Sequence, residues 1–230
     1  FFADKAILVE GTSERLLIRK MIEKVDNELA GDPKLSTQYI SVVEVGGSHA
    51  DRFFGLLRFL KLPTLIITDI DSVDATNNNK ACIVSKANAT ANPCIMDWFD
   101  DSDVTPERLI GESSDNKIDD QLRIAYQVPE EEQGEGPCGR TLEDAFMLAN
   151  PDLYNIQGTT PEEKEEDVRK KTKNLGKTKF ALKHAIEEQD WTVPRYIKEG
   201  LMWLAENGDR GGSTAQEAGN DAIHLEVGHE

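Results

Sequence analysis

Three short apolar runs alternate with two amphipathic segments at the start of the chain, and this alternation constrains the fold most. The apolar runs cover residues 5–10, 39–45 and 64–69, and each has the length of a buried strand. Residues 12–29 and 50–60 repeat apolar side chains every three or four positions, which predicts helices with one buried face. This order predicts an α/β fold with a parallel sheet and right-handed crossovers.

The pattern is less regular after residue 71. Residues 81–84 and 121–128 are further strand candidates, and the polar stretch 86–121 is predicted to be an insertion with a short helix at 95–99. Further helices are predicted from Thr141, from the capping-box sequence at residues 160–163, over 180–188 and over 193–205.

These elements suggest a division of the chain into three parts. Residues 1–155 are expected to form the sheet domain, and residues 156–207 a small helical subdomain. Residues 208–230 are small and polar, which predicts a flexible tail.

Composition bears on where the protein works. No apolar run approaches the roughly 20 residues that a membrane span requires, so no membrane contact is predicted. Cys82, Cys94 and Cys138 are odd in number and far apart, which fits neither a disulfide framework nor a zinc knuckle. We therefore expect a reducing, cytoplasmic setting.

The net charge of -17 counts against a generic DNA-binding protein, because such proteins neutralise phosphates with lysine and arginine. A site that binds metal ions, however, concentrates carboxylates. The charge therefore lowers the expectation of nucleic-acid binding without removing it.

Two pairs of acids follow two of the predicted parallel strands. Glu10 ends the first strand, Glu14 lies in the first turn of the following helix, and Asp69 and Asp71 follow the third strand. The carboxyl ends of parallel strands meet at one edge, where open α/β sheets bind ligands. Four carboxylates there would repel one another without a counter-charge, and oxygen ligands favour Mg²⁺ or Mn²⁺.

A plainer interpretation of these acids remains open. Glu14 can serve only to complement the positive end of its helix. Asp69 and Asp71 can be a polar strand end that is followed by a turn.

Four segments resemble a known family of proteins. Residues 9–14 read VEGTSE and residues 65–72 read LIITDIDS, which resemble the two signature motifs of the Toprim domain of topoisomerases, bacterial primases and certain nucleases. Residues 140–146 (RTLEDAF) and 176–182 (GKTKFAL) resemble the C-terminal motifs of the overcoming-lysogenization-defect (OLD) nucleases. The resemblance covers most of residues 5–185, and it implies a Toprim-like sheet with mixed edges, flanked by helices.

The resemblance also implies a function, a DNA endonuclease that uses two Mg²⁺ or Mn²⁺ ions. Glu10 and Glu14 would hold one ion, while Asp69 and Asp71 would bind or bridge to the second. Three further residues would assist: Glu143 would complete the site, Lys177 would place positive charge near the scissile phosphate, and Ser72 would contact a metal-bound water or the phosphate.

The family also suggests partners. An ABC-type ATPase precedes the Toprim part in OLD proteins, and this chain begins without Met, so we expect a piece of a longer protein. The implied partners are DNA and that ATPase domain, through which copies of the protein would form a homo-oligomer.

Two other functions stay open at this point. In a haloacid-dehalogenase-like phosphatase, Asp69 would be the nucleophile and Asp71 the general acid. In an inactive Toprim-like interaction module, the acids would have no chemical role. Glu143 follows the capping residue Thr141, and Lys177 lies among other lysines, so both also have structural interpretations.

Overall fold

The computed structural model describes residues 3–29, 31, 33–131 and 135–207. The strands are β1 (Lys5–Val9), β2 (Ile40–Glu44), β3 (Thr64–Ile67), β4 (Ser72–Asp74), β5 (Lys80–Ala81), β6 (Ala89–Thr90), β7 (Ile118–Asp119) and β8 (Leu122–Ala125). The α-helices are α1 (Thr12–Glu28), α2 (Phe54–Leu60), α3 (Pro93–Trp98), α4 (Pro106–Gly111), α5 (Leu142–Ala149), α6 (Pro151–Tyr154), α7 (Pro161–Thr172), α8 (Lys177–Leu182) and α9 (Arg195–Glu206).

A five-stranded sheet in the order β2-β1-β3-β8-β7 organises the fold. β1, β2, β3 and β8 are parallel, and the short edge strand β7 pairs antiparallel with β8. The predicted α/β class and the mixed edge of the sheet are therefore confirmed.

The central strands are apolar on both faces because helices cover both. On one face, Ile7 and Leu65 pack with residues of α1, α5 and α9. On the other face, Leu8 and Ile66 pack with residues of α2 and α3. This arrangement explains why the central strands are continuous apolar runs instead of alternating patterns.

Helix α9 crosses the sheet at very close range. A Cβ atom on Gly200 would lie 2.7 Å from Leu65 Cδ1, so the absence of a side chain allows this approach. Val168, Phe180 and Leu201 of the C-terminal helices belong to the same apolar cluster as Ile7. The division of the chain near residue 155 stays a prediction.

Several predicted elements need correction. The strand predicted over 81–84 ends at Ala81, and a 3₁₀ turn at Val84–Lys86 follows. The strand predicted over 121–128 covers only Leu122–Ala125. The region after residue 71 also contains a second, antiparallel sheet in the order β5-β4-β6, which was not predicted because its strands have only two or three residues.

The tail predicted at 208–230 lies outside the described residues. Within the described part of the chain, no helix is long and apolar enough to cross a membrane.

Candidate active site

The carboxyl ends of β1 and β3 place the first predicted acids side by side. Val9 pairs with Ile67 in the parallel ladder, so Glu10 and Asp69 leave the sheet at the same edge. The backbone N–H groups of Gly46 and Gly47 donate to the Glu10 carbonyl oxygen, at 3.1 and 2.9 Å. A cleft of about 380 Å³ opens at this edge, and we call it the carboxylate cleft; its lining includes Glu10, Glu14, Asp69 and Lys177.

Glu10 is held in place by three donors. Its Oε1 atom accepts hydrogen bonds from the Thr68 hydroxyl, from the Asp69 N–H at 3.1 Å and from the Asn92 amide at 3.2 Å. Burial raises the pKa of Glu10, and these hydrogen bonds offset part of that rise. The side chain is therefore oriented by the fold before any ligand binds.

Asp69 is the most strongly perturbed of these acids. Its side chain is 8% exposed, and Oδ1 accepts a hydrogen bond of 2.6 Å from the Gln127 amide. Gln127 is fully buried two residues after the end of β8, and its own amide oxygen accepts from the Ile70 N–H at 2.7 Å. Burial, followed by the charges of Glu10 and Glu14, raises the pKa of Asp69 well above its usual range.

Glu14 lies in the first turn of α1 and faces the same cleft. It is 8% exposed, and its Oε2 accepts a hydrogen bond of 3.1 Å from the Gly11 N–H. Burial raises the pKa of Glu14, and the nearby Glu143 carboxylate adds to the rise. Glu14 thus caps its helix, as the plainer interpretation held, and also lines the cleft.

Asp71 is directed toward a cation. Its backbone has a φ of 49°, in the left-handed region, and its Oδ1 lies 2.8 Å from the Arg140 guanidinium. Arg140 Nε also donates to the Ser72 carbonyl oxygen at 3.1 Å. Arg140 therefore neutralises Asp71 at the rim of the acid cluster.

Ser72 has a structural contact. Its side chain is fully buried, and its hydroxyl donates to the Cys82 carbonyl oxygen at 2.8 Å. This bond joins β4 to the segment after β5. The packing of the small sheet therefore explains why the Ser72 side chain is buried. A role for Ser72 at a metal ion stays a prediction.

Glu143 and Lys177 are brought together although 34 positions separate them in the chain. Glu143 lies in the first turn of α5, where it is 2% exposed, and Lys177 begins α8. The Lys177 ammonium lies 3.0 Å from Glu143 Oε2. Burial lowers the pKa of Lys177, but the charges of Glu143, Asp69 and Glu14 outweigh it, so the net shift is upward and the ammonium stays charged.

The Glu143 carboxylate is nevertheless left without hydrogen bonds. Among the described residues, no donor meets hydrogen-bond geometry to either of its oxygens. The Lys177 ammonium at 3.0 Å offsets the charge of this carboxylate, but it does not complete the hydrogen bonding of the group among the described residues. A cation or a donor from outside the described chain would satisfy it.

The donor set of the cleft fits a hard divalent cation. Its acids provide oxygen ligands, they repel one another, and Glu143 has unsatisfied oxygens. As the described side chains stand, no three acids, histidines or cysteines form a group that could hold a metal ion. The side chains would have to move closer together around an ion.

The structure thus brings Glu10, Glu14, Asp69, Glu143 and Lys177 to one site, with Asp71 at its rim. Two supporting residues, Asn92 and Gln127, were missed from the sequence. Gln127 lies two residues after β8, the strand next to β3, and its polar side chain after an apolar run was a usable signal. Asn92 precedes Pro93, and this sequence predicts a helix cap. The sequence therefore gives no indication that the Asn92 amide also donates to Glu10.

Comparison with known proteins agrees with the family resemblance. The family model "Overcoming lysogenization defect protein-like, TOPRIM domain" matches residues 1–71. The chain is 33% identical to Endonuclease GajA of Bacillus cereus strain HuB5-5, over 89% of this chain and 32% of that protein. It is 24% identical to Endonuclease GajA of strain VD045, over 68% of this chain and 26% of that protein. The chain therefore spans about a third or less of these relatives.

A solved structure shows the same fold. The C-terminal region of the Burkholderia pseudomallei OLD protein superposes with a TM-score of 0.55 and 21% identity, over 90% of this chain and 98% of that one. The resemblance to OLD proteins and the Toprim-like α/β fold are confirmed together.

Proposed function

We propose that this chain, whose first 71 residues match the TOPRIM domain of OLD-like proteins, is the catalytic region of a metal-dependent DNA endonuclease. The observation that carries the proposal is Glu143, a buried carboxylate with unsatisfied oxygens, beside Lys177 in a cluster of acids. The name of the relative with 33% identity, an endonuclease, supports the same activity.

The ligands for the metal ions come from the two strand ends and from α1 and α5. Glu10, Glu14 and Asp69 of the carboxylate cleft, with the neighbouring Glu143, would hold Mg²⁺ or Mn²⁺, and Asp71 would join them when it separates from Arg140. The chemistry that two such ions would supply when bound is the activation of a water for attack on phosphorus and the stabilisation of the leaving oxygen.

The chain's own groups contribute orientation and charge. Asn92 and Gln127 orient the carboxylates of Glu10 and Asp69 through hydrogen bonds, as the partners of ligating carboxylates do around metal ions. Lys177 keeps its proton and lies beside the cleft, where it would stabilise negative charge that develops on the scissile phosphate. Its charge acts without a proton transfer.

We also propose the setting in which this region works. The two curated relatives are about three to four times as long as the part that matches this chain, which leaves room for an ATPase domain in the same polypeptide. The proposed partners are duplex DNA and that domain. Assembly into a homo-oligomer through that domain, and a cytoplasmic location, complete the proposal.

Cleavage of supercoiled plasmid tests this function. The wild-type chain with Mg²⁺ or Mn²⁺ is expected to nick and linearise the plasmid, and EDTA or Asp69→Asn is expected to abolish the reaction. Asp119→Asn is the matched control, because Asp119 is exposed and pairs only with Arg58 among the described residues, so the same chemical change leaves the cleft intact.

Other outcomes would replace the proposal. Cleavage that survives both EDTA and Asp69→Asn would refute a metal site at Asp69. An intact plasmid with hydrolysis of a small phosphomonoester would favour the phosphatase. An absence of both activities, in wild-type protein that is folded, would favour the interaction module.

A further inference from the structure

DNA binding by this chain poses a problem of charge. The net charge is -17, whereas a protein that holds DNA neutralises phosphates with lysine and arginine. Any nuclease activity therefore requires a local group of cations near the acids. The described surface contains one beside the carboxylate cleft.

This second cleft has a volume of about 220 Å³, and we call it the basic cleft. Its charged lining consists of four cations and two acids, namely Arg140, Arg169, Lys173, Lys177, Glu143 and Asp144. The lining is thus net positive in a strongly acidic protein.

The two clefts meet at one side chain. Lys177 lines both of them, and its partner Glu143 lines the basic cleft while its charge acts on Asp69. A nucleic-acid strand with one phosphate beside Lys177 would therefore extend directly into the basic cleft.

Two of the four cations remain available for phosphates. Arg140 pairs with Asp71, and Lys177 pairs with Glu143. Arg169 donates to the Ala81 carbonyl oxygen at 2.6 Å, and neither it nor the exposed Lys173 forms an ion pair within 4 Å with a described residue.

The acids of the basic cleft do not neutralise these two cations. Asp144 accepts hydrogen bonds from the Thr172 hydroxyl at 2.8 Å and from the Arg140 N–H at 3.3 Å. Glu143 lies against Lys177. Neither Arg169 nor Lys173 is therefore ion-paired with an acid of the basic cleft.

A simpler explanation exists for basic residues at this position. Cations in the last turn of a helix stabilise its negative end, and α7 ends with Arg169, Lys170 and Lys171. That explanation applies equally to Lys170, which is exposed and lines neither cleft. It does not account for the convergence of Arg169 and Lys173 on the cleft that contains Lys177.

We propose that Arg169 and Lys173 bind backbone phosphates of DNA next to the scissile phosphate, and that the basic cleft is the path of the cleaved strand. The ligand is the phosphodiester backbone, so the contacts are independent of base sequence. This inference rests on the proposed endonuclease function. It adds the direction in which the substrate leaves the carboxylate cleft.

The salt dependence of DNA binding tests the inference. Fluorescence anisotropy of a labelled duplex, in EDTA to prevent cleavage, gives the dissociation constant of the whole chain at several salt concentrations. Each phosphate contact contributes about 0.9 to the slope of log affinity against log salt, so Arg169→Gln with Lys173→Gln should reduce the slope by about 1.8. The matched control Lys170→Gln should leave it unchanged.

Cleavage kinetics provide a second measurement. The double variant should show a raised KM for duplex DNA, with the cleavage rate recovered by raising the DNA concentration. Lys173→Gln alone should reduce the slope by about 0.9. This single variant preserves the test if loss of the Arg169 bond to Ala81 unfolds the double variant.

The outcomes separate this inference from the proposed function. If the wild-type chain cleaves DNA and both variants match the Lys170→Gln control in slope and KM, the inference is wrong and the nuclease stands. If the variants lose slope but the wild-type chain never cleaves DNA, the basic cleft stands and the nuclease is wrong. An absence of DNA binding by the wild-type chain would overturn the inference.

Discussion

Glu143 on α5 and Glu165 on α7 are buried glutamates of neighbouring helices, and they differ in the hydrogen bonds that their carboxylates accept. Glu165 is 5% exposed and accepts hydrogen bonds from the Ser85 N–H, the Ser85 hydroxyl and the Cys138 N–H, at 2.9, 2.7 and 2.9 Å. Glu143 is buried at least as deeply, and neither of its oxygens has a hydrogen bond within the described chain.

The difference distinguishes a structural acid from a binding acid. Glu165 ties α7 to the 3₁₀ turn at Val84–Lys86 and to the segment before α5, so its burial is compensated inside the protein. Among the described residues, Glu143 has an ion pair with the exposed Lys177 and no hydrogen bond that joins two elements. Burial and charge alone do not distinguish Glu143 from Glu165. The hydrogen-bond donors around each carboxylate do distinguish them.

The largest expected effect is on catalysis. Glu143→Gln should reduce metal-dependent DNA cleavage by about 10² or more, because even residues that only support a metal ligand contribute about 10–100-fold. Glu165→Gln, which removes an equally buried carboxylate, should stay within a few-fold of wild type as long as it is folded. The measurement is the rate of plasmid nicking at a fixed Mn²⁺ concentration.

Equal losses of activity in these two folded variants would remove the distinction. So would retention of full activity by Glu143→Gln.

The stability of the same variants should change in the opposite order. Glu165→Gln should lower the free energy of unfolding by about 1–3 kcal/mol, because Ser85 and Cys138 donate to different oxygens and one donor would face the new amide NH₂. Glu143→Gln should change the free energy of unfolding by less than this, since the carboxylate that it removes is bound only through an ion pair with the exposed Lys177.

Urea unfolding in EDTA measures both changes. A Glu143→Gln variant that is as destabilised as Glu165→Gln would show that Glu143 is a structural residue.

A smaller effect should appear in the pH dependence of stability without metal. The pKa of Asp69 is raised in the folded state, so its stabilising contribution is fully present below about pH 4 and is lost as pH rises through the raised pKa. An asparagine side chain does not titrate, so Asp69→Asn should gain stability relative to wild type as pH rises, by at most about 1.4 kcal/mol per pH unit.

Urea unfolding of both proteins in EDTA between pH 4 and pH 8 measures this difference. The pKa values of Glu10 and Glu14 are also raised by burial, and their charges act on Asp69, so these two residues will share part of the change. A stability difference that is constant over this range would show that Asp69 has an ordinary pKa.

The sequence predicts the first half of the fold well because the signals there are local. β1, α1, β2 and β3 each show a clear apolar period, and their order determines the parallel sheet and the shared edge for Glu10 and Asp69. The small sheet of β4, β5 and β6 has strands too short for such a period. The pattern after residue 71 was therefore only partly interpretable.

The site was predictable in its residues and less so in its contacts. The proximity of Glu143 and Lys177 depends on how α5 and α8 pack, and their spacing in the chain does not predict this packing. Only the family resemblance selected these two residues. The ion pair of Asp71 with Arg140 and the bond of Gln127 to Asp69 are likewise tertiary contacts between distant segments.

Direct binding of Mn²⁺ tests the central claim that the acids at these strand ends, with Glu143, form a metal site. The electron paramagnetic resonance signal of free Mn²⁺ gives the affinity for the wild-type chain, Glu143→Gln and Glu165→Gln without any DNA. We predict that wild type and folded Glu165→Gln bind Mn²⁺ alike, whereas Glu143→Gln binds at least about tenfold more weakly. Equal affinity in Glu143→Gln, or no Mn²⁺ binding by the wild-type chain, would contradict the claim.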